Sequence, residues 1–246
     1  VDALWDAILK AARADGPDPV REWARHNDNL AKRCDYLNRL GLTALEYKSS
    51  NGTDFRVGLL PDALFMGGGE NDLKGRYYNP NIPSEEIFTS PRAGDADGIV
   101  YATKPLSYQG QLIENFSVRF EHGKVVEVKA EKNQALLEKM VSMDEGAAML
   151  GECALIAYDS PINNLGILFY NTLFDENASC HLALGRGFGN CVRGYEDMTN
   201  EQLKEYGIND SMIHVDFMIG SKDLEITGIT KNGDRVEIFK NGNWAF

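Results

Sequence analysis

The 246-residue sequence has few cysteines and histidines, a deficit of positive charge and no long apolar run. Its four cysteines show no CxxC spacing and lie within apolar patterns, so we expect reduced thiols in a cytoplasmic protein and no disulfide framework. No apolar stretch approaches the roughly 20 residues that cross a bilayer, so we expect no membrane partner. The net charge of -12 argues against nucleic acid, whose binding needs clustered Lys and Arg.

Two helical patterns open the chain, from Asp2 to Ala14 and from Pro19 to Gly41. Asp18 is a good N-cap for the second helix, and proline suits its first position. We expect residues 1–42 to form a structural helical lead-in. Because a helical pattern is already under way next to Val1, we also expect the chain to be a fragment or a processed product.

The apolar period changes from helical to two after the lead-in, which predicts strands. The predicted strands cover residues 44–48, 55–60, 98–103, 113–121, 125–130, 212–219, 225–229 and 236–239. Helical spacing returns at 133–141 and 144–150. Strands joined by short turns, with helices in separate blocks, predict an α+β fold with mostly antiparallel sheet and flanking helices. Since no long linker interrupts it, we expect residues 43–246 to form one domain.

Groups that bind divalent metals are concentrated between residues 145 and 216. Two of the four histidines, His181 and His214, lie there with the carboxylates Glu152 and Asp216. Such a mixed set suits a catalytic metal, because it leaves the ion partly open. On a strand, His214 and Asp216 would point to the same face. The competing interpretation is an ordinary core or surface histidine, but a buried Asp216 without nearby Lys or Arg would be costly.

Two further carboxylates, Glu85 and Glu86, lie in the proline-rich segment NPNIPSEEIF at 79–88. A backbone fixed by proline is suited to holding a ligand. Alternatively, Ser84 caps a short helix whose first turn favours acidic residues. The local sequence does not decide between these two interpretations.

Several long segments together resemble the two-metal aminopeptidases of the aminopeptidase T and aminopeptidase S type. They include NPNIPSEEIFTSP at 79–91, TKPLSYQGQLIENF at 103–116, DEGAAMLGECALI at 144–156, SPINNLGILFYNTLFDENASCHLALG at 160–185 and NDSMIHVDFMIGS at 209–221. Essentially the whole chain is similar to the catalytic C-terminal half of such enzymes. The family's further N-terminal domain is then expected to be absent here.

The resemblance implies a site that hydrolyses the N-terminal residue of peptides with the help of two divalent metal ions, which could be Zn, Co or Mn. It places the metal ligands at Glu86, Glu152, His181, His214 and Asp216. It favours Glu86 over Glu85, and we expect Glu86 and Glu152 to be the catalytic carboxylates. Glu152 would bridge the ions, and Glu86 would be a ligand or the general base. The resemblance also implies a homodimer that acts on peptides with a free N-terminus.

One position departs from the pattern of this family. The family places a tyrosine near the metals, seven residues after the first histidine, and this sequence has Phe188. Phenylalanine lacks the hydroxyl that could ligate metal or stabilise an oxyanion. Either the activity is lowered, or another donor such as Tyr170 or Tyr195 replaces it. The alternatives to an aminopeptidase are therefore an inactive metal-binding dimerisation module, or another two-metal hydrolase such as a phosphoesterase.

Overall fold

A computed structural model describes residues 1–246 and confirms the α+β prediction, with antiparallel sheets and helices packed around them. The helices are α1 (Asp2–Ala11), α2 (Pro19–Leu40), α3 (Gln134–Val141), α4 (Pro161–Asn164), α5 (Thr172–Glu176) and α6 (Asn200–Tyr206). The strands are β1 (Leu42–Lys48), β2 (Asp54–Leu59), β3 (Glu70–Asn71), β4 (Tyr77–Tyr78), β5 (Ile87–Thr89), β6 (Pro91–Tyr101), β7 (Leu106–Tyr108), β8 (Gln111–Glu121), β9 (Lys124–Lys132), β10 (Leu150–Leu155), β11 (His181–Gly185), β12 (His214–Met218), β13 (Glu225–Thr230), β14 (Arg235–Lys240) and β15 (Asn243–Trp244).

The long helix α2 begins and ends as the sequence predicts. The Asp18 side chain accepts a hydrogen bond from the backbone N–H of Arg21 at 3.1 Å, and Gly41 ends the helix in the left-handed conformation. Leu30, Leu37 and other apolar residues at helical spacing are buried in the main core. No helix is long and apolar enough to cross a membrane.

Two antiparallel sheets share that core. The larger sheet has nine strands in the order β15-β14-β13-β1-β2-β6-β8-β7, with β9 paired to β8, and the smaller sheet has the order β12-β11-β10-β5. Side chains of both sheets meet between them, as in the pair Phe116 and Phe217, whose ring centroids lie 5.8 Å apart. One face of the smaller sheet is therefore apolar and buried against the larger sheet.

One predicted helix is wrong. Residues 144–150 were expected to be helical, but only Gly146–Ala148 form a single 3-10 turn, and strand β10 begins at Leu150. All six residues of β10 are buried, so the strand lacks the alternation of apolar and polar residues that a half-exposed strand shows. All five residues of strand β11 are also buried, so this strand lacks the same alternation. These two strands carry Glu152 and His181.

Candidate metal centre

The register of the smaller sheet brings the predicted ligands to one face. Glu152 on β10 pairs with Ala183 on β11, and Ala183 pairs with Asp216 on β12, so these three side chains form a row across the sheet. His181 and His214 lie two residues from this row and share its face. Since Ala183 is small, its side chain does not keep the two carboxylates apart, and their ligand atoms lie within 4.8 Å of each other.

The opposite face of the same strands is the apolar one. Cys153, Leu182 and Phe217 form the neighbouring row and belong to the main core. Glu86 immediately precedes β5, whose residue Phe88 pairs with Ala154. Because side chains alternate along a strand, Glu86 and Phe88 share the face that carries Glu152. The alternation thus separates core residues from candidate ligands on every strand of this sheet.

The ligating atoms form two overlapping groups. Atoms of Glu86, Glu152 and His181 lie within 4.8 Å of one another, and so do atoms of Glu152, His214 and Asp216. His181 Nε2 is 3.4 Å from Glu86 Oε2, and His214 Nε2 is 3.3 Å from Glu152 Oε2. Glu152 is common to both groups.

Backbone carbonyls orient both imidazole rings. His214 Nδ1 lies 2.7 Å from the carbonyl oxygen of Arg186, and His181 Nδ1 lies 3.3 Å from that of Ser179. If Nδ1–H donates to the carbonyl, Nε2 is the ring atom that faces the carboxylates. This arrangement is the usual outer-shell support of a metal-binding histidine.

The crowded charges shift the pKa values of the cluster strongly. Burial lowers the pKa of both imidazoles, but neighbouring carboxylates, Glu86 for His181 and Asp216 for His214, raise them to about 10 and about 11. Burial raises the pKa of Glu152 to about 7. Burial also acts to raise the pKa of Asp216, but the nearby imidazolium groups lower it to about 2. Without metal, protons on the two imidazoles balance the carboxylates.

The residues fit a divalent metal by their chemistry and by two buried atoms that lack partners. His181 Nε2 and Asp216 Oδ1 are fully buried and make no hydrogen bond. Asp216 Oδ1 lies 3.2 Å from His214 Nε2, but the geometry is not that of a hydrogen bond. Such atoms are rare in native proteins because they cost free energy. Two imidazoles with carboxylates form the donor set that catalytic Zn, Co or Mn accepts.

An open cavity of about 520 Å³ adjoins the cluster. Glu86, Glu152, His214 and Asp216 line it together with Glu176, which the sequence interpretation missed as a site residue. The remaining lining residues are Met66, Gly67, Gly68, Gly69, Glu70, Pro80, Asn81, Ser84, Phe88, Thr172, Leu173, Phe188 and Asn190. The cavity thus combines an acidic floor with apolar side chains.

Glu176 is the last residue of α5, five positions before His181. Burial and the charge of Asp216 raise the pKa of its carboxyl group to about 9. The short helix α5 packs against β12, which directs Glu176 towards the cluster. The only sequence signal that could have identified Glu176 is its position close to His181, a candidate metal ligand.

The structure separates the two adjacent glutamates of the proline-rich segment. Glu86 faces His181, whereas Glu85 turns away and pairs with Arg13. Ser84 does not cap a helix there, since the segment continues directly into β5. Phe188 lies on the cavity wall, with its ring centroid 4.8 Å from that of His214. Tyr170 and Tyr195 do not line the cavity.

A buried mixed centre beside an open cavity is typical of a protein that binds catalytic divalent metal. Comparison with known proteins agrees with this class. The chain belongs to the family described as thermophilic metalloprotease (M29), which residues 1–244 match. The resemblance found in the sequence is thereby confirmed.

Named relatives extend over the whole chain. It is 48% identical over 246 residues to Aminopeptidase AmpS of Bacillus subtilis, and 45% identical over 246 residues to Aminopeptidase 2 of Geobacillus stearothermophilus. These matches cover 100% of the chain but only 60% and 59% of the relatives. The solved structure of wild-type AmpT from Thermus thermophilus superposes with a TM-score of 0.90 at 39% identity, again over 100% of this chain and 59% of that one. The chain therefore spans about three fifths of the length of its relatives.

Proposed function

We propose that this chain carries the catalytic centre of a metal-dependent aminopeptidase. The observation that supports this most directly is the pair of overlapping donor groups sharing Glu152, in a chain of the M29 family. Relatives named aminopeptidases support the reaction class, and the alternative of an inactive module has no comparable support. Two divalent ions bound there would polarise the scissile carbonyl and lower the pKa of a water molecule.

Each ligand has a distinct proposed role. Glu152 is the shared carboxylate, His181 and Glu86 complete one group, and His214 and Asp216 complete the other. Glu86 and Glu152 remain the proposed catalytic carboxylates. We add Glu176 as a further donor, because it lines the same cavity and because its pKa is raised by burial and by the charge of the nearby Asp216 carboxylate.

The cavity supports a peptide with a free N-terminus as the substrate. Its excess of carboxylates suits an α-ammonium group, since neighbouring Lys and Arg are absent from its lining. Met66, Phe88, Leu173 and Phe188 offer apolar surface to a side chain of the substrate. We therefore propose preference for an apolar N-terminal residue such as leucine.

Hydrolysis of leucine p-nitroanilide by metal-loaded protein tests the proposal. Glu152→Gln and His214→Ala should each abolish turnover while leaving the circular dichroism spectrum unchanged, because both residues lie in the centre. Glu145→Gln and His122→Asn are matched controls, since both residues are exposed and distant from the cavity. Near-normal rates in both site variants would refute the proposal.

A parallel assay with p-nitrophenyl phosphate separates the other outcomes. Phosphate ester hydrolysis without peptidase activity would indicate a different two-metal hydrolase. Metal binding without turnover of either substrate would indicate the inactive metal-binding module.

The domain boundaries, the oligomeric state and the cellular location are further parts of the proposal. We propose that residues 43–246 form the catalytic domain after the helical lead-in 1–42, and that the protein is a homodimer. A cytoplasmic location is supported by four buried free cysteines, which are typical of a reducing compartment. Light scattering of the purified chain tests the dimer.

A further inference from the structure

Residues outside the cavity hold the segment that carries Glu86 in place. Arg13 forms a bidentate ion pair with Glu85, with Nε 3.0 Å from Oε1 and Nη2 2.6 Å from Oε2. The side chain of Glu85 is only 9% exposed and that of Arg13 is 24% exposed. Bidentate pairs of this kind are strong and directional, and removing one partner deprives the other of its shortest charged contact.

Two further contacts hold the same segment by its backbone. His26 Nε2 lies 2.7 Å from the carbonyl oxygen of Ser84, and the backbone N–H of Glu85 donates to Asn177 Oδ1 at 2.7 Å. These partners come from α2 and from the residue after α5. The backbone around Glu85 is therefore held from separate elements, while its side chain makes its shortest contacts with Arg13 and has His26 Nε2 3.8 Å from Oε1.

The direction of Glu86 follows from the direction of Glu85. Successive side chains of extended backbone point to opposite sides, so a Glu85 side chain turned to Arg13 directs Glu86 towards His181. Arg13 lies just beyond the C-terminus of α1 and makes no contact with the cavity. Its position is itself fixed, because Trp23 Nε1–H donates to the neighbouring carbonyl oxygen of Ala12 at 2.8 Å.

We infer that Arg13 is a positioning residue for Glu86: its ion pair with Glu85 fixes which of the two adjacent glutamates faces the metal centre. This inference rests on the proposed function, since it concerns a metal ligand. It assigns the helical lead-in a role in the site beyond packing. It also predicts that loss of the ion pair weakens metal binding by only one of the two donor groups, because Glu86 belongs to only one of them.

The test is a titration of metal-free full-length chain with Co²⁺, followed by the visible absorption of the bound ion. We expect Arg13→Met to weaken binding in the step that involves Glu86 and His181 by about 10- to 100-fold, the usual effect of losing outer-shell support. The step that involves His214 and Asp216 should change little. Arg13→Lys should recover part of the loss, since lysine restores the charge without the bidentate contact.

Three further variants complete the design. Glu85→Gln should reproduce the loss, and combining it with Arg13→Met should add little, because the pair acts as a unit. Arg235→Met is the matched control, since Arg235 pairs with Glu46 on the larger sheet and lines neither the cavity nor the surface around Arg13 and Glu85. If Arg13→Met does not fold, as judged by circular dichroism, Arg13→Lys and Glu85→Gln are judged by the same selective loss.

The outcomes distinguish the inference from the proposed function. If the wild-type chain binds two Co²⁺ ions, the proposed metal centre is upheld. In that case, unchanged Co²⁺ binding by Arg13→Met, or equal weakening of both binding steps, would overturn the inference about Arg13. A wild-type chain that bound no Co²⁺ would overturn the proposed function and this inference with it. Selective weakening of one step would support the inference.

Discussion

Metal binding at pH 7 is expected to release at least two protons from each metal-free chain. Neighbouring carboxylates raise the pKa of His181 to about 10 and that of His214 to about 11, against the opposing effect of burial, so both rings are protonated at pH 7. A histidine must lose a proton before Nε2 can bind a metal. Glu152 and Glu176, with pKa values raised to about 7 and about 9, add to the number released.

The magnitude follows from these pKa values. Deprotonating a group of pKa about 10 at pH 7 costs about 4 kcal/mol, which weakens the apparent metal affinity by that amount. Each proton released contributes a factor of about ten in apparent affinity per unit of pH. With one imidazole in each donor group, the affinity for each ion is expected to fall by about ten-fold, and the overall affinity for the two ions by at least about 100-fold, when the pH is lowered from 8 to 7.

Titration calorimetry with Zn²⁺ measures the number of protons directly. The observed enthalpy is measured at one pH in buffers with different ionisation enthalpies, and the slope gives the protons released. His214→Gln should lower this number by about one. His122→Asn should not change it, because His122 is exposed at the turn between β8 and β9. Release of fewer than one proton by the wild-type chain would refute the assigned charges.

Three further predictions concern stability and rate. The pKa of His181 in the folded protein is raised above its ordinary value of 6.5 to about 10. Its contribution to the stability of the metal-free protein is therefore present below pH 6.5 and is lost as the pH rises towards about 10. The midpoint of thermal unfolding should fall over this pH range, and it should fall more than in His181→Gln. Gly185→Ala should destabilise the fold by more than about 2 kcal/mol in urea unfolding, because Gly185 has φ +104° and an added Cβ would lie 2.1 Å from the carbonyl oxygen of Ile213. Phe188→Tyr should raise kcat by about 10-fold or more without changing the unfolding midpoint, since the ring lines the cavity and a hydroxyl would add an oxyanion donor; an unchanged kcat would refute that role.

Local sequence patterns predict those elements that have one exposed face. The helical spacing of α2 and the alternation along β8 and β9 could be predicted from the sequence, because water contacts one side of each element and polar residues lie on that side. The strands β10 and β11 are buried on both faces, so solubility imposes no alternation on most of their residues. The sequence analysis therefore did not predict β10 or β11, although the strand HLALG does point His181 and Leu182 in opposite directions.

The candidate site shows the same division between local and distant determinants. His214 and Asp216 could be placed together from a spacing of two on one strand. The choice between Glu85 and Glu86 depends on Arg13, which lies 72 residues from Glu85 along the chain, and no local pattern contains that contact. Glu176 was missed because the packing of α5 on β12, which brings it to the site, is a tertiary contact.

The candidate donors lie on three strands of the small sheet and just before the fourth, and these strands are neighbours in space but far apart in the chain. Closing such long loops costs entropy and slows folding. During synthesis, Glu86, Glu152 and His181 leave the ribosome before β12, the last strand of this sheet, so the group of Glu152, His214 and Asp216 stays incomplete until β12 docks. Binding of an ion by this second group would therefore mark the completion of the sheet, and it would stabilise only those molecules whose four strands are already in register.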